Sequence, residues 1–351
     1  MTGTSFLITL DVFAFVWGAL WGSFLNVVIY RLPAGESLVS PPSHCPKCQH
    51  PLAWYDNVPI FGWLILRGRC RYCKTKISPR YPLVELLTAI LSLAIWVHVA
   101  HGRLLLPVES VDPLIGVGMV FFLYFYFVAI LIAIAFIDLD LAIIPHELTI
   151  AGVVLGVIAG FVMPADGPFI DLWPGVGWVD ALLGLAVGAG SIWAIIKGYA
   201  LVRGVEGMGW GDFMLMGMVG VWVGWRGVIF VLFAASVQGL IAALVHAGWL
   251  KARGKDREQS GFFIEDVEAI DGESAPYAGA RPEAVAAEPA PPTDAEPAAR
   301  AADPGAPERQ GEEASEASAF GQMAVPFGPF IALSAIEFVL VGELVLPRLF
   351  G

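Results

Sequence analysis

The stretch Glu206–Trp225 reads EGMGWGDFMLMGMVGVWVGW. After Asp212 it is almost wholly apolar, as a membrane helix is, yet a carboxylate stands at its entrance among Gly207, Gly209 and Gly211. A charge at the mouth of a membrane helix is costly and needs a structural partner or a chemical job. The glycines let the backbone turn tightly and approach a neighbour closely. An Asp at a helix start also has an ordinary use, capping free N–H groups and meeting the positive end of the dipole. On this stretch alone both uses stay open.

The rest of the chain supports the membrane reading. Of its 351 residues 57% are hydrophobic and the mean hydropathy is +0.71, which excludes an ordinary soluble domain. The net charge of -12 is local. Glu258–Ala319 carries 15 acidic and 3 basic residues, and the remainder carries 17 of each sign. That segment, roughly 257–321, is rich in Ala, Pro and Glu. It is too poor in large apolar side chains to repay its ordering entropy, so it reads as a disordered tether. No nucleic-acid partner is expected.

Eight apolar runs are candidate spans: Ser5–Tyr30, Tyr81–Ala100, Pro113–Ile137, Ala142–Met163, Val176–Ala200, Asp212–Trp225, Gly227–Leu250 and Pro326–Phe350. The expected fold class is an all-α polytopic membrane protein, with a small metal-binding loop domain after the first span. The first run has no Lys or Arg before it and reads as a retained helix, not a cleaved signal. The loop after it carries Arg31, Lys47, Arg67, Arg69, Arg71, Lys74, Lys76 and Arg80 against only Glu36 and Asp56. The positive-inside rule makes this loop cytoplasmic and the N-terminus external. The same threading makes the acidic tether cytoplasmic and puts ADGPFIDLWPGVG (165–177) outside. The expected divisions are a first helix (1–30), the loop domain (31–80), a membrane core (81–256), the acidic insertion (257–321) and a last helix (322–351).

All four cysteines lie in that loop, as Cys45-Pro-Lys-Cys48 and Cys70-Arg-Tyr-Cys73, with 21 residues between the pairs. Two C-x-x-C knuckles can present four thiolates tetrahedrally to one Zn²⁺. Two disulfides fit a reducing cytoplasm poorly, and no βαβ pattern suggests a thioredoxin-like pair. Four protein ligands leave no open position, so the zinc would be structural.

A second acidic site lies in AFIDLDLAIIPHELT, where Asp138 and Asp140 close the third span. The threading brings Asp138 and Asp212 to one membrane face. Two carboxylates in one site share a proton, so one can activate water while the other polarises a carbonyl. Two unrelated boundary acids facing water are the alternative.

Here the chain resembles the type IV prepilin peptidases, also called leader peptidase/N-methyltransferases. The resemblance rests on GSFLNVVIYRLPAGES (Gly22–Ser37), the two C-x-x-C pairs, ISPRYPLVELLTA (Ile77–Ala89), IDLDLAIIP, GMGWGD and PFGPFIALSA (Pro326–Ala335), in the family's order. An Asp seven residues before a Pro selects Asp138 over Asp140, and Gly-x-Gly-Asp selects Asp212. The resemblance implies an intramembrane aspartic peptidase of the bacterial inner membrane. It would cut the basic leader from prepilins or pseudopilins, then methylate the new amino terminus with S-adenosylmethionine. Pilus or type II secretion machinery would be its partner. Arg31, Glu36 and Glu85 lie in matching stretches near the loop and are candidates for binding the cofactor or the new amine.

The chain departs from the pattern at Met214, where the family usually has Lys, and at His146, where it tends to have Asp or Asn. Asn26 and Glu85 could also simply bond between helices. Three other functions stay open: a peptidase without methylation, a transporter that relays ions through the two acids, and a non-catalytic assembly scaffold.

Overall fold

The computed structural model describes residues 3–100, 113–162, 177–204, 209–253 and 326–350. The acidic segment 257–321, the 165–176 part of the expected external loop, Glu206 and Gly207 lie outside them. Among the described residues the chain is all-helical, and the only β pairings are two isolated bridges in the loop.

The helices are α1 (Gly3–Arg31), α2 (Phe61–Ile65), α3 (Arg80–Ala100), α4 (Pro113–Leu141), α5 (His146–Val162), α6 (Trp178–Arg203), α7 (Trp210–Arg253) and α8 (Gly328–Phe350). Five of them, α1, α3, α4, α6 and α7, are long and apolar enough to cross a membrane, so this is a multi-pass membrane protein. The expected eight is reached only by counting α7 as two spans and adding α5 and α8, whose apolar described runs are shorter.

α7 is two helices in series. Gly224 has φ 69 and ψ 172, a backbone that glycine adopts readily and other residues do not, and the chain reverses there. Before the break Gly211 abuts Ile144, and Gly152 abuts Met218. After it the chain runs back along α8, from Gly227 beside Phe338 to Gly239 beside Phe330. The expected break between Trp225 and Gly227 thus falls within two residues of the observed one. One compact unit takes in the chain to Ile241 and from Pro326 on. Of the second, Ala242–Val325, only the last turns of α7 are described.

α4 is the central helix, and packs against α1, α3, α5 and α8. It is apolar on every face, as a helix with neighbours all round must be. Phe121, Phe125, Phe127, Leu131, Ile134 and Ile137 are fully buried along it. Trp17 and Trp21 of α1 meet Phe125 edge-on, and Trp222 of α7 stacks on Phe127 at 4.7 Å.

Lipid tails give helices no hydrophobic reason to associate, so close backbone approach and buried polar bonds must hold the bundle. On α1, Gly18 and Gly22 lie against the Ala89 and Glu85 backbone of α3, 2.7 and 2.6 Å from where a methyl would sit. Ser92 donates across the same seam to the Ala14 carbonyl at 2.7 Å, and Trp96 to Asp11 at 3.0 Å. α6 meets α7 backbone to backbone at Gly184 and Gly220. Trp222 donates to the Gly152 carbonyl at 2.9 Å, which ties α7 to α5. Gln238 donates to the Glu337 carboxylate at 2.7 Å between α7 and α8.

Candidate active site and metal centre

The loop between α1 and α3 is built on two matching knuckles. In the first, the Cys45 N–H donates to the His50 carbonyl at 3.0 Å and the Gln49 N–H to the Cys45 carbonyl at 2.9 Å. In the second, Cys70 donates to Thr75 at 2.9 Å and Lys74 to Cys70 at 3.1 Å. Gln49 and Lys74 hold equivalent positions, and both have positive φ, 56 and 59. Each bridge, His44 with Pro51 and Arg69 with Lys76, closes its turn. The same five-residue offset thus folds the same way twice.

The folding gathers Cys45, Cys48, Cys70 and Cys73 so that all four sulfurs lie within 4.8 Å of one another. Cys45 and Cys73 are 3.7 Å apart, and Cys48 and Cys70 3.9 Å. A disulfide needs about 2.0 Å, so these are free thiols. A tetrahedral Zn²⁺ with Zn–S near 2.3 Å places its sulfurs about 3.8 Å apart, and the observed spacing fits such an ion. Beside the cluster Arg71 grips the Asp56 carboxylate in a two-pronged pair, one arm at 2.8 Å. That guanidinium holds the Asp56 carboxyl below its ordinary range.

Asp138 lies in the last turn of α4. The helix ends where Ala142, at φ 53, donates to the Asp138 carbonyl at 2.9 Å, and the chain then turns through Ile144 into α5. The Asp138 side chain is 5% exposed. The Gly328 N–H at the start of α8 faces its carboxyl, while Oδ2 has no hydrogen-bond partner among the described residues. A methyl on residue 328 would strike that oxygen and push the carboxyl aside.

Asp212 lies in the first turn of α7, half-buried, with the Gly209 N–H bonded to its carboxyl. Capping is thus one of its uses, as its position implied. Its neighbour Gly211 packs on Ile144, as does Gly328, which abuts the Asp138 carboxyl, so the two acids lie at the same end of the bundle. Ile144 fits between Gly211 and Gly328 at 3.0 and 3.3 Å from their would-be methyls, which locks the ends of α4, α7 and α8 together.

Asp140 is differently placed. Arg80, the first residue of α3, donates to both of its oxygens at 2.7 and 2.6 Å, and its guanidinium rests over the Phe136 ring at 5.1 Å. So the neighbouring acid is a partnered one and Asp138 the unpartnered one. This Arg80–Asp140 pair was not anticipated. In the sequence Arg80 reads as one more loop charge, and the only signal for the pair is that each residue stands inside a motif.

Of the three cofactor candidates, Arg31 and Glu36 are joined through their backbones, the Glu36 N–H donating to the Arg31 carbonyl at 3.0 Å. Arg31 is buried and donates to the Ser37 and Pro41 carbonyls at 3.0 and 2.8 Å. Glu85 accepts the Ile60 N–H at 2.6 Å, and Glu36 is exposed. Asn26 donates to the Tyr81 carbonyl at 3.1 Å. Met214 is part-exposed on α7, and His146 opens α5 facing out.

Comparison with known proteins fits this geometry. Residues 125–244, which contain both aspartates, match the type IV leader peptidase family, and residues 16–99 match the bacterial peptidase A24 N-terminal domain. A relative in Myxococcus xanthus strain DK1622 is 34% identical over 336 residues, which is 94% of this chain and 90% of the relative.

The chain belongs to the type IV leader peptidase family.

Two further relatives of this peptidase family are similar over shorter spans. One from Neisseria gonorrhoeae is 36% identical over 66% of this chain and 80% of its own length. One from Aeromonas hydrophila is 35% identical over 64% and 77%. All three carry the name prepilin leader peptidase/N-methyltransferase. No solved structure matches the chain.

Proposed function

We propose that this protein is a bifunctional membrane enzyme. It cleaves the leader from type IV prepilins or pseudopilins with Asp138 and Asp212, then methylates the new amino terminus. One observation carries the peptidase half. A buried carboxyl with an unpartnered oxygen stands beside a second carboxyl at one end of the bundle, while the third acid nearby is neutralised by Arg80.

In this chemistry the pair holds one proton between its two members. The ionised carboxylate takes a proton from a water as the water oxygen attacks the scissile carbonyl carbon. The protonated member gives its proton to the carbonyl oxygen, and a neutral tetrahedral diol forms. As the C–N bond breaks, the proton taken from water passes to the leaving amine. A hydroxyl proton of the diol returns to the other carboxylate and restores the pair. No metal takes part. Which acid starts protonated is interchangeable, because the pair titrates as a unit.

Cys45, Cys48, Cys70 and Cys73 would hold Zn²⁺, which with four protein ligands would serve a structural role in the loop. Methylation belongs to the loop side, with S-adenosylmethionine as the methyl donor. Arg31, Glu36 and Glu85 are proposed to serve it. Arg31 and Glu85 hold loop backbone, so their part is to shape the loop, and no step of methyl transfer is assigned to one side chain.

The enzyme is assigned to the bacterial inner membrane, with the N-terminus outside and the loop and acidic insertion cytoplasmic. The divisions 1–30, 31–80, 81–256, 257–321 and 322–351 go with that assignment, as does a pilus or type II secretion machine as partner. The experiment is to incubate the purified chain in lipid with a prepilin and S-adenosylmethionine and weigh the product. Loss of the leader plus one methyl group is expected. Leader loss alone would leave a peptidase, and an intact prepilin would overturn the assignment.

A further inference from the structure

The segment Trp54–Ile65 is unusual for a loop. Trp54 is 82% exposed, Phe61 62% and Ile65 71%, and Tyr55 and Leu64 are also exposed. The chain is nevertheless firmly held there. Phe61 starts a short helix, Gly62 packs against the Asp56 carbonyl, and Trp63 turns inward to donate to the Ile77 carbonyl at 3.0 Å. An ordered element that half-buries one Trp and displays six other large apolar side chains, Val58 among them, has a covered face and a face awaiting a partner.

Its depth identifies the partner. The Ile60 N–H is fixed to Glu85, five residues inside α3, or about 7.5 Å along a helix. Helical side chains lean toward the N-terminus, so the Glu85 carboxyl lies between the levels of Arg80 and Glu85. Arg80 is paired with Asp140 at the end of α4, so Ile60 sits at about the depth of Asp138. At that depth the outer flank of α3 shows Leu83, Leu86 and Leu87, and α1 shows Phe24, all exposed. These belong to spans and face lipid, and the Ile60–Glu85 bond sets the start of α2 at their level. Directly after α2 the chain becomes basic: Arg67, Arg69, Arg71 and Lys74 line a cavity of about 460 Å³ with Leu66 and Cys70.

Apolar side chains at the level of the headgroups, Trp and Tyr beside them and cations next in line are the makings of an interfacial anchor. We propose that Trp54–Ile65 is seated in the membrane interface, with acyl chains against Phe61, Leu64 and Ile65, and that the adjoining basic cavity takes the headgroup phosphate of an anionic phospholipid. The loop is then fixed to the bilayer on one side and to α3 on the other. This holds the metal centre at the lipid surface near the two aspartates.

The test uses the full chain, metal-loaded, in nanodiscs that contain diazirine-labelled phosphatidylglycerol or diazirine-labelled phosphatidylcholine. Adducts are mapped by mass spectrometry. Adducts within residues 54–65 are expected, about tenfold more from the anionic lipid for every one or two cations engaged. The double variant Arg67→Gln/Lys74→Gln should erase that preference while the metal content and the adducts on Leu83 and Leu87 stay unchanged. Labelling of Leu83 and Leu87 with none at 54–65 would overturn the proposal, and equal labelling by the two lipids would overturn its anionic half. Loss of the 54–65 adducts when prepilin is added would assign this surface to the substrate instead.

Discussion

The metal centre and the aspartate pair are assembled in opposite ways. The four cysteines come from two copies of one local turn, each closed by its own backbone bonds and its own positive-φ residue. Asp138 and Asp212 stand 74 positions apart, on different helices, and meet only because α4, α7 and α8 are wedged together by Ile144 between two glycines. A local motif supplies the first site, and the packed bundle supplies the second. The two should therefore fail differently when damaged.

The largest effect is expected at the metal. A structural zinc site contributes on the order of 10 kcal/mol to the fold of its domain. Cys70→Ser, or a strong chelator, should release the ion and unfold residues 31–80, read as rapid hydrogen exchange there. Exchange in α4 and α7 should stay slow. If the bundle loosened with the loop, the two regions would not be independent.

Next is the glycine seam that brings α7 to α6. Gly184→Leu has no room, because a side chain there meets the Gly220 carbonyl. Overpacking costs about 1–3 kcal/mol, and more against backbone. Thermal unfolding in detergent should come earlier and cleavage should fall, while zinc content stays at one per chain. Unchanged cleavage would mean that the α6–α7 approach does not position Asp212.

Such contacts explain what the sequence could reveal. The spacing of Cys45, Cys48, Cys70 and Cys73 encodes its own geometry, since each C-x-x-C turn needs only its neighbours. The break in α7 was legible within two residues because a Gly, a Trp and an Arg interrupt an apolar run. That Asp138 and Asp212 share a face followed from threading. That the Asp138 carboxyl packs against Gly328 is a contact across 190 positions that no local pattern announces. The separate fates of Asp138 and Asp140 were equally hidden. Two residues apart on one helix, they point to different neighbours, and only the position of Arg80 shows which one is neutralised.

Arg80 gives a smaller effect. Its pair with Asp140 is partly exposed, so solvent screens it and its loss should cost about 1 kcal/mol or less in stability. As a positioning residue Arg80 should matter more to turnover. Arg80→Ala is expected to lower kcat about tenfold with KM little changed, and Arg80→Lys to recover only part of this, because Lys cannot grip both oxygens. A change confined to KM would place Arg80 against the substrate instead.

The smallest effect is at Asp56. Arg71 holds its carboxyl below the ordinary range, so any stability from the pair is present above that range and is lost as pH falls through the lowered value. Because Arg71 lies out in water, Asp56→Asn should shift metal retention by about twofold or less at neutral pH. A larger loss would show that the pair belongs to the metal centre's own support.

The central claim is that the peptidase uses Asp138 with Asp212 and leaves Asp140 to Arg80. Its most direct test is leader cleavage of one prepilin, followed by mass spectrometry in lipid, for Asp138→Asn, Asp212→Asn and Asp140→Asn, each with zinc content and thermal unfolding recorded. Cleavage should fall about a thousand-fold or more in the first two variants, and no further when they are combined, since the pair acts as a unit. Asp140→Asn should keep most of it. Cleavage that survives Asp138→Asn but disappears in Asp140→Asn would contradict the account.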